Sequence, residues 1–539
     1  MKAIKNIMIA LSGIALLASC DMDKFFELDR PESNPWLSVD DLEYSVADPY
    51  NTLFQNPNWQ APIGIIPYYQ ELVADLSTVN PQGAYEQEAL YWYPRQMSTF
   101  DVTGQQFEKT FSILYRSVTG ATSPLTYIEE KEKKGEPVFA NMTENDKKTL
   151  ARQTGELYFM RGYTYWLISR AFVAPYDPAG GEGNNRKFIP LINRLDYSQE
   201  SARNPYMGTV KEVYDQMLSD FAKAKSLMPE DYFVRGRANK FSAAMMLMRV
   251  KWLMGDKDGA LEEADYVITK AEAGVAPFDL TEEPIVAFNR NAEQQYTVDP
   301  VSKEVMFECA FTESNQGNNV AIPLARMCKT GIYNFKSKTF DASNKLWLEG
   351  ARGSQNWQHG GWACAYWNPR LIKYIGWAVT DDPMDLTNYV PSAEALADKR
   401  FTQLHYFLKN YTDGGDKTIH EMAYNKTKWN AFWNDKYYRA PYGKYSQVPL
   451  IRLAEAYLTR ATLVLSKNAS QALGDVNKIR QRAGLTPLKN VTEADIEKER
   501  IKEFGFENGD RLLYLVAMQK TIDGQKRNPG AVYDSPNTD

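Results

Sequence analysis

The side chains best suited to chemistry in this sequence are aromatic. Trp347, Trp357, Trp362, Tyr366, Trp367 and Trp377 fall within 31 residues, and Tyr91-Trp92-Tyr93 form a second cluster. A flat aromatic face can hold the weakly apolar face of a sugar ring, while amides, carboxylates and guanidinium groups bond its hydroxyls. Asp75, Asn80 and Arg95 flank the first cluster, and Gln358, His359 and Asn368 accompany the second. The opposing reading is packing. With 12 tryptophans in the chain, most must serve a core or an interface.

Signatures of catalysis are weaker. The three histidines are His359, His405 and His420. His420-Glu421-Met422-Ala423-Tyr424 opens like a zinc-protease motif, but Tyr424 stands where the second ligand must be. Gly414-Gly415-Asp416-Lys417-Thr418 resembles the end of a phosphate loop without the glycine before the lysine. No G-x-S-x-G elbow occurs. A glycosidase needs two carboxylates about 5 to 10 Å apart across the sugar. The Glu262-Glu263 and Asp381-Asp382 pairs read instead as a solvated helix face and a turn. No catalytic residue, metal ligand or cofactor is assigned.

The chain opens with Lys2 and Lys5, an apolar run over residues 7–17, and then Ala18, Ser19 and Cys20. This is the order of a secretory signal peptide, and the run is shorter than the roughly 20 residues of a membrane span. Leu17-Ala18-Ser19-Cys20 looks like the lipobox of bacterial lipoproteins. That resemblance implies cleavage before Cys20, lipidation of Cys20, and anchoring through acyl chains, each buried CH₂ adding about 0.8 kcal/mol. Cys309, Cys328 and Cys364 are an odd set with no metal-site spacing, and read as small buried hydrophobes. A net charge of −6 argues against a nucleic-acid partner.

The elements that must position the aromatics are helical. Over residues 240–271, Ala244, Met248 and Trp252 recur at four-residue steps, Gly255-Asp256 breaks the helix, and Asp258 is placed to cap the next. Leu261, Ala264 and Ile268 stripe that second helix, and the register fits a tetratricopeptide-like hairpin. Residues 449–484 read alike, with Ala472, Val476 and Ile479 in the second helix. A split hairpin pairs residues 149–172 with 213–229, where Met217, Phe221, Ala224 and Pro229 match the repeat's second helix. Such units stack because one hairpin cannot bury its own apolar face. Residues 279–445 show only weak helical period and carry a dense set of aromatics, as an irregular binding region set on a helical frame does. The expected organisation is a leader over 1–19 and one mainly α domain over 20–539.

Several runs resemble the SusD/RagB family of nutrient-binding outer-membrane lipoproteins. They are Phe25-Phe26-Glu27-Leu28-Asp29 with Pro31, the helix segment 156–166 carrying Arg161, Phe188-Ile189-Pro190-Leu191, and Gly236-Arg237-Ala238-Asn239-Lys240. Residues 449–458, 476–484 and the tail set Glu499, Arg500, Glu503, Phe504, Phe506, Glu507, Asp510 and Arg511 complete the pattern. Departures are Asn508 before Gly509, and Leu512-Leu513-Tyr514 where the family carries a tryptophan and an acid. The resemblance implies a helical core of tetratricopeptide-like hairpins with a loop-rich ligand region. It also implies a SusC-like TonB-dependent transporter as partner, over which the protein closes as a lid. Tyr91, Trp92 and Tyr93 lie where the family's first ligand loop falls, with Asp75, Asn80 and Arg95 around them. Trp357, Trp362, Tyr366 and Trp367 lie in the second loop region. The expected function is non-catalytic capture of an oligosaccharide or polysaccharide at the cell surface for that transporter. A SusD-like binder of peptides or another nutrient, and a surface glycoside hydrolase, are the alternatives.

Overall fold

The computed structural model describes residues 36–54, 61–79, 104–196, 198–288, 302–309, 333–334, 339–340, 348–351, 365–381, 388–412, 429–436 and 448–520. The leader, Cys20, Cys328, Cys364, His359, His420 and the 414–418 segment lie outside these residues.

The architecture is mainly helical, as expected. The long helices are α1 (Val39–Phe54), α2 (Pro62–Val73), α3 (Gly104–Lys134), α4 (Glu144–Phe172), α5 (Val210–Leu227), α6 (Lys240–Leu253) and α7 (Lys257–Glu272). After the irregular region come α8 (Leu453–Val464), α9 (Ala469–Arg482), α10 (Glu493–Phe504) and α11 (Asp510–Ala517). From α4 to α9, each helix packs on the next in this order, and α1 and α3 pack against α4. The short strands used below are β1 (Ser77–Val79), β2 (Val305–Cys309), β3 (Leu348–Ala351), β4 (Ala365–Trp367), β5 (His405–Thr412), β6 (Trp429–Asn434) and β7 (Val448–Arg452).

The 240–271 hairpin forms with Gly255 at φ +83° in its turn. Asp256, not Asp258, is its second cap: its side chain accepts from Gly259 N at 2.9 Å. Helix α6 is buried on almost every side rather than along one stripe, because α5, α7 and α11 all pack on it. Helices α4 and α5 begin earlier than the apolar period suggests. Capping boxes set their starts, Thr143 with Asp146 and Thr209 with Glu212. Met217, Phe221 and Ala224 are fully buried, as are Ala472, Val476 and Ile479.

Residues 448–452 depart from the expected hairpin. They form strand β7, antiparallel to β2 with Val448 opposite Cys309 and Arg452 opposite Val305, and the helix starts only at Leu453. A proline at the second position and β-branched Val448 and Ile451 suit an extended start better than a helical one. Cys309 is buried on β2, and burial pushes its thiol well above the ordinary range.

Buried guanidinium–carboxylate forks bridge the stacked helices. Arg161 grips Asp220 at 3.0 and 2.7 Å between α4 and α5. Arg249 grips Glu455 at 2.7 and 2.6 Å between α6 and α8. Arg460 grips Asp475 at 2.8 and 2.7 Å between α8 and α9, and Arg500 grips Asp510 at 2.9 and 2.5 Å between α10 and α11. The planar fork satisfies both carboxylate oxygens at once, which an ammonium cannot do.

Candidate functional site

The two aromatic stretches, far apart in sequence, meet at one short ribbon. Strand β1 runs antiparallel to β4, with Ser77 opposite Trp367, Thr78 opposite Tyr366 and Val79 opposite Ala365. The chain leaves the Val79 end toward Asn80 and returns at Ala365 after Trp357 and Trp362. Both expected ligand segments therefore depart from the same end of the ribbon. On its other side the second segment is preceded by β3, which lies parallel to β5 with Leu348 beside Leu408 and Glu349 beside Lys409. Strand β6 pairs with β5, and its Trp433 ring lies 5.3 Å from Tyr366. Asn80, Tyr91, Trp92, Tyr93, Arg95, Trp357 and Trp362 themselves fall outside the described residues.

Tyr366 and Trp367 correct the expectation. Both are fully buried. The Trp367 ring sits 5.6 Å from Trp377, 5.4 Å from His405 and 5.3 Å from Phe506. A β-carbon at Gly505 would fall within 2.7 Å of its Cζ2, so the glycine is what lets the indole lie there. A ring enclosed in this way has no face to offer a sugar. Trp367 anchors the ribbon to the core, and Tyr366 packs on Trp433 of β6. Trp36, Trp166, Trp252, Trp377 and Trp433 are buried too. His405 belongs to this packing, its Nδ1 2.9 Å from the Arg400 carbonyl oxygen.

Asp75 also has a different task. It immediately precedes Leu76 and β1, and its carboxylate is held by Arg511 through Nε at 2.6 Å and Nη2 at 2.8 Å. The Arg511 Nη1 donates to Glu497 at 2.6 Å. Burial opposes the Arg511 charge, but the two carboxylates outweigh it and hold the guanidinium above its ordinary range. Asn368, just after β4, donates from Nδ2 to the Asp75 carbonyl at 2.9 Å and from its backbone N to Leu76 O at 2.9 Å.

Behind this root lies a left-handed turn. Phe506, Asn508 and Gly509 have φ of +64°, +53° and +66°. Asn508, a departure from the family pattern, donates from Nδ2 to Pro449 O at 3.1 Å and fixes the turn against β7. Gly509 N donates to Glu71 at 3.1 Å. Glu71 is fully buried, and burial, reinforced by Asp510 and Glu507, pushes its carboxyl well above the usual range.

Around the turn the motif residues of the tail form a buried charged network. Arg452 reaches Glu304 at 2.5 Å, Glu503 at 3.0 Å and Glu507 at 2.9 Å, and Arg482 joins Glu304 and Glu503. Lys436, beyond β6, donates to Glu507 at 2.6 Å and to the Glu503 and Gly505 carbonyls at 2.7 and 2.8 Å. Arg400 joins Asp398 at 2.7 Å and Glu499 at 2.8 Å. Burial raises Glu499, but Arg400, Lys502 and Arg480 dominate and bring it down to about 2. Carboxylates clamped in this way bind structure together. The sequence named Arg452, Arg482, Glu499, Glu503 and Glu507 within family runs but did not reveal that, with Glu304, Asp398, Arg400 and Lys436, they knit the irregular region to the helical stack. Their clustering with arginines at fixed spacing was the available signal.

Comparison with known proteins gives consistent matches. Residues 57–251 match a family model described as "Starch-binding associating with outer membrane", and residues 303–512 match the model of the SusD family. A "SusD-like protein P2" of Formosa agariphila is 25% identical over 373 residues, 67% of this chain and 62% of that protein. The chain thus spans about three fifths of that curated relative. "Starch-binding protein SusD" of Bacteroides thetaiotaomicron is 42% identical over 67 residues, 12% of each chain. Among solved structures, a SusD-like carbohydrate binding protein from Bacteroides vulgatus superposes with TM-score 0.62 at 16% identity, over 90% of this chain and 85% of that one. Surface glycan-binding protein A from Bacteroides uniformis gives TM-score 0.58 at 16% identity, over 89% and 88%. Among the described residues no helix is long and apolar enough to cross a membrane.

Proposed function

The chain belongs to the SusD/RagB family, and from that premise we propose that it captures a glycan at the outer surface of the outer membrane and delivers it, without cleaving it, to a SusC-like TonB-dependent transporter. The observation that carries this reading is the β1–β4 ribbon, which sends the 80–95 and 357–362 segments off from one edge. Aromatic residues leaving a rigid base together suit a stacking platform, with Asn80 and Arg95 as hydroxyl partners. The names of the relatives, starch-binding and glycan-binding, agree with this class of ligand. In this reading Cys20 carries the lipid, and the helical stack faces the transporter.

The proposal is tested by incubating the purified chain with a panel of oligosaccharides. Retention without new reducing ends is expected, and Trp92→Ala, Trp357→Ala and Trp362→Ala should each weaken retention by tenfold or so, as loss of a stacked ring costs on the order of 1 kcal/mol or more. Appearance of reducing ends would make the protein a hydrolase instead. Peptide capture with no glycan retained would turn the reading toward another nutrient.

A further inference from the structure

A cleft of about 260 Å³ opens on the helical stack and shares no residue with the β1–β4 ribbon. It is lined by β2, by the loop between α5 and α6, and by the loop that follows α7. The loops are fixed by their rings. Phe233 lies 5.9 Å from Phe241 of α6 and 5.4 Å from Phe278, and Phe241 lies 5.8 Å from Phe278. Gly236, at φ +76°, turns the first loop, and Asn239 ties it to β2 by donating from Nδ2 to Met306 O at 2.7 Å. A ligand therefore meets walls already in place, with little ordering cost.

Size and polarity limit what the cleft can hold. Sites for drug-sized ligands run to roughly 300–1,000 Å³, whereas an apolar cavity of about 150 Å³ takes one benzene ring. A volume of 260 Å³ suits a single ring or branched alkyl group with one small head. The polar groups inside have partners within the fold. Glu308 is 3% exposed and accepts from Arg235 Nε at 2.6 Å, the Asn239 side-chain oxygen accepts from Phe241 N and Ser242 N, and Ser302 Oγ accepts from Glu304 N at 3.3 Å. A sugar, with hydroxyls around its whole edge, would lose water there without gaining enough partners. Phe233, Val234 and Phe278 offer apolar contact instead, and Val234 is exposed. With Arg235 and Glu308 cancelling, the charge left over is the exposed Lys303. Asp279 donates its backbone N to Lys303 O at 3.1 Å, but its carboxylate accepts from Leu280 N at 2.7 Å.

We propose that this cleft is a second binding site, for a small apolar carboxylate, whose ring or alkyl group packs against Phe233, Val234 and Phe278 while its carboxylate meets Lys303. A free arylalkanoic acid and the C-terminal residue of a peptide offer the same chemistry. The site is independent of the glycan reading, since it takes a different class of ligand through different residues.

The test titrates the full chain with 3-phenylpropanoate and with its neutral amide by isothermal calorimetry. The acid should bind, and the amide should bind about fivefold more weakly, the size of one partly exposed charge pair. Lys303→Gln should bring the acid down to the affinity of the amide and leave the amide unchanged. Val234→Trp, at an exposed position on the cleft, should block both, with the melting temperature and oligosaccharide retention of the wild type. A peptide ending in phenylalanine separates the two sources. Tighter binding of its free-ended form than of the small acid assigns the cleft to chain ends, and binding of the small acid alone assigns it to free acids. Equal binding of acid and amide, no effect of Lys303→Gln, or wild-type binding by Val234→Trp overturns the proposal. So does a chain that binds neither the acid nor the free-ended peptide, and so does a loss of oligosaccharide retention in either variant, which would place the cleft in the glycan surface. A wild type that binds the acid but retains no glycan defeats the proposed function alone.

Discussion

The helical stack and the β1–β4 ribbon are held by interactions of different reach. In the stack, three of the four forks join residues fairly near in sequence: Arg460 and Asp475 are 15 apart, Arg500 and Asp510 are 10 apart, and Arg161 and Asp220 are 59 apart, while Arg249 and Glu455 are 206 apart. At the ribbon, Asp75 and Asn368 are 293 apart, Asp75 and Arg511 are 436 apart, and Glu71 and Gly509 are 438 apart. Local ties can form early and cost little loop-closure entropy, while the ribbon waits for both ends of the chain. Most ties within the stack are thus of short reach, whereas the ribbon is tied to it by residues of the tail.

The hardest way to break this relation is Arg452→Ala. It leaves Glu304, Glu503 and Glu507 buried without a principal partner. Removing one member of a buried ion cluster costs about 3–5 kcal/mol. Urea unfolding followed by circular dichroism should show a loss of that size, and a variant as stable as wild type would contradict the role given to the network.

Gly505→Ala separates the two regions more finely. Its methyl group would collide with the Trp367 ring and lie 2.9 Å from the Ile501 carbonyl oxygen. Overpacking of this kind costs about 1–3 kcal/mol. Tryptophan fluorescence, which reports the indole environments, should change together with the melting temperature.

Glu71 supplies a pH handle on the turn. Its carboxyl keeps its proton to a higher pH in the fold than in the unfolded chain, where the value is near about 4.3. The folded state therefore binds the extra proton in that window, and this residue's contribution to stability falls as pH rises through it. Glu71→Gln keeps the side chain neutral, so its melting temperature relative to wild type should improve steadily from pH 4 to pH 8. A difference that does not vary with pH would show that Glu71 is ionised throughout. The smallest expected effect belongs to the scaffold alone: Thr143→Ala removes an exposed capping box and should cost about 1 kcal/mol without altering ligand retention.

The hairpins were legible in the sequence because their apolar period is local. Ala472, Val476 and Ile479 can be read without knowing what covers them, and all are buried. Helix starts were less legible, since Thr143 with Asp146 outweighs the apolar pattern in setting where α4 begins. The ribbon was not legible at all. Three residues carry no period, and nothing near Ser77 names Trp367 as its partner. The same limit explains Tyr366 and Trp367. Their residue types suit a sugar face, but type does not say which side of a strand meets solvent. The structure gives that answer through Trp377, His405 and Phe506 around Trp367, and through Trp433 beside Tyr366. Asp75 was read as a hydroxyl partner for the same reason, since its cation arrives from the far end of the chain.

The pairing of Val79 with Ala365 has one more consequence. One end of each segment is thereby fixed at adjacent backbone points, while the other ends join α3 at Gly104 and β3 at Ala351. Segments of other lengths and compositions can be exchanged between these four junctions, with Asp75, Asn368 and Arg511 left in place. A chimera carrying both segments of a relative should inherit that relative's ligand preference and keep this chain's melting behaviour.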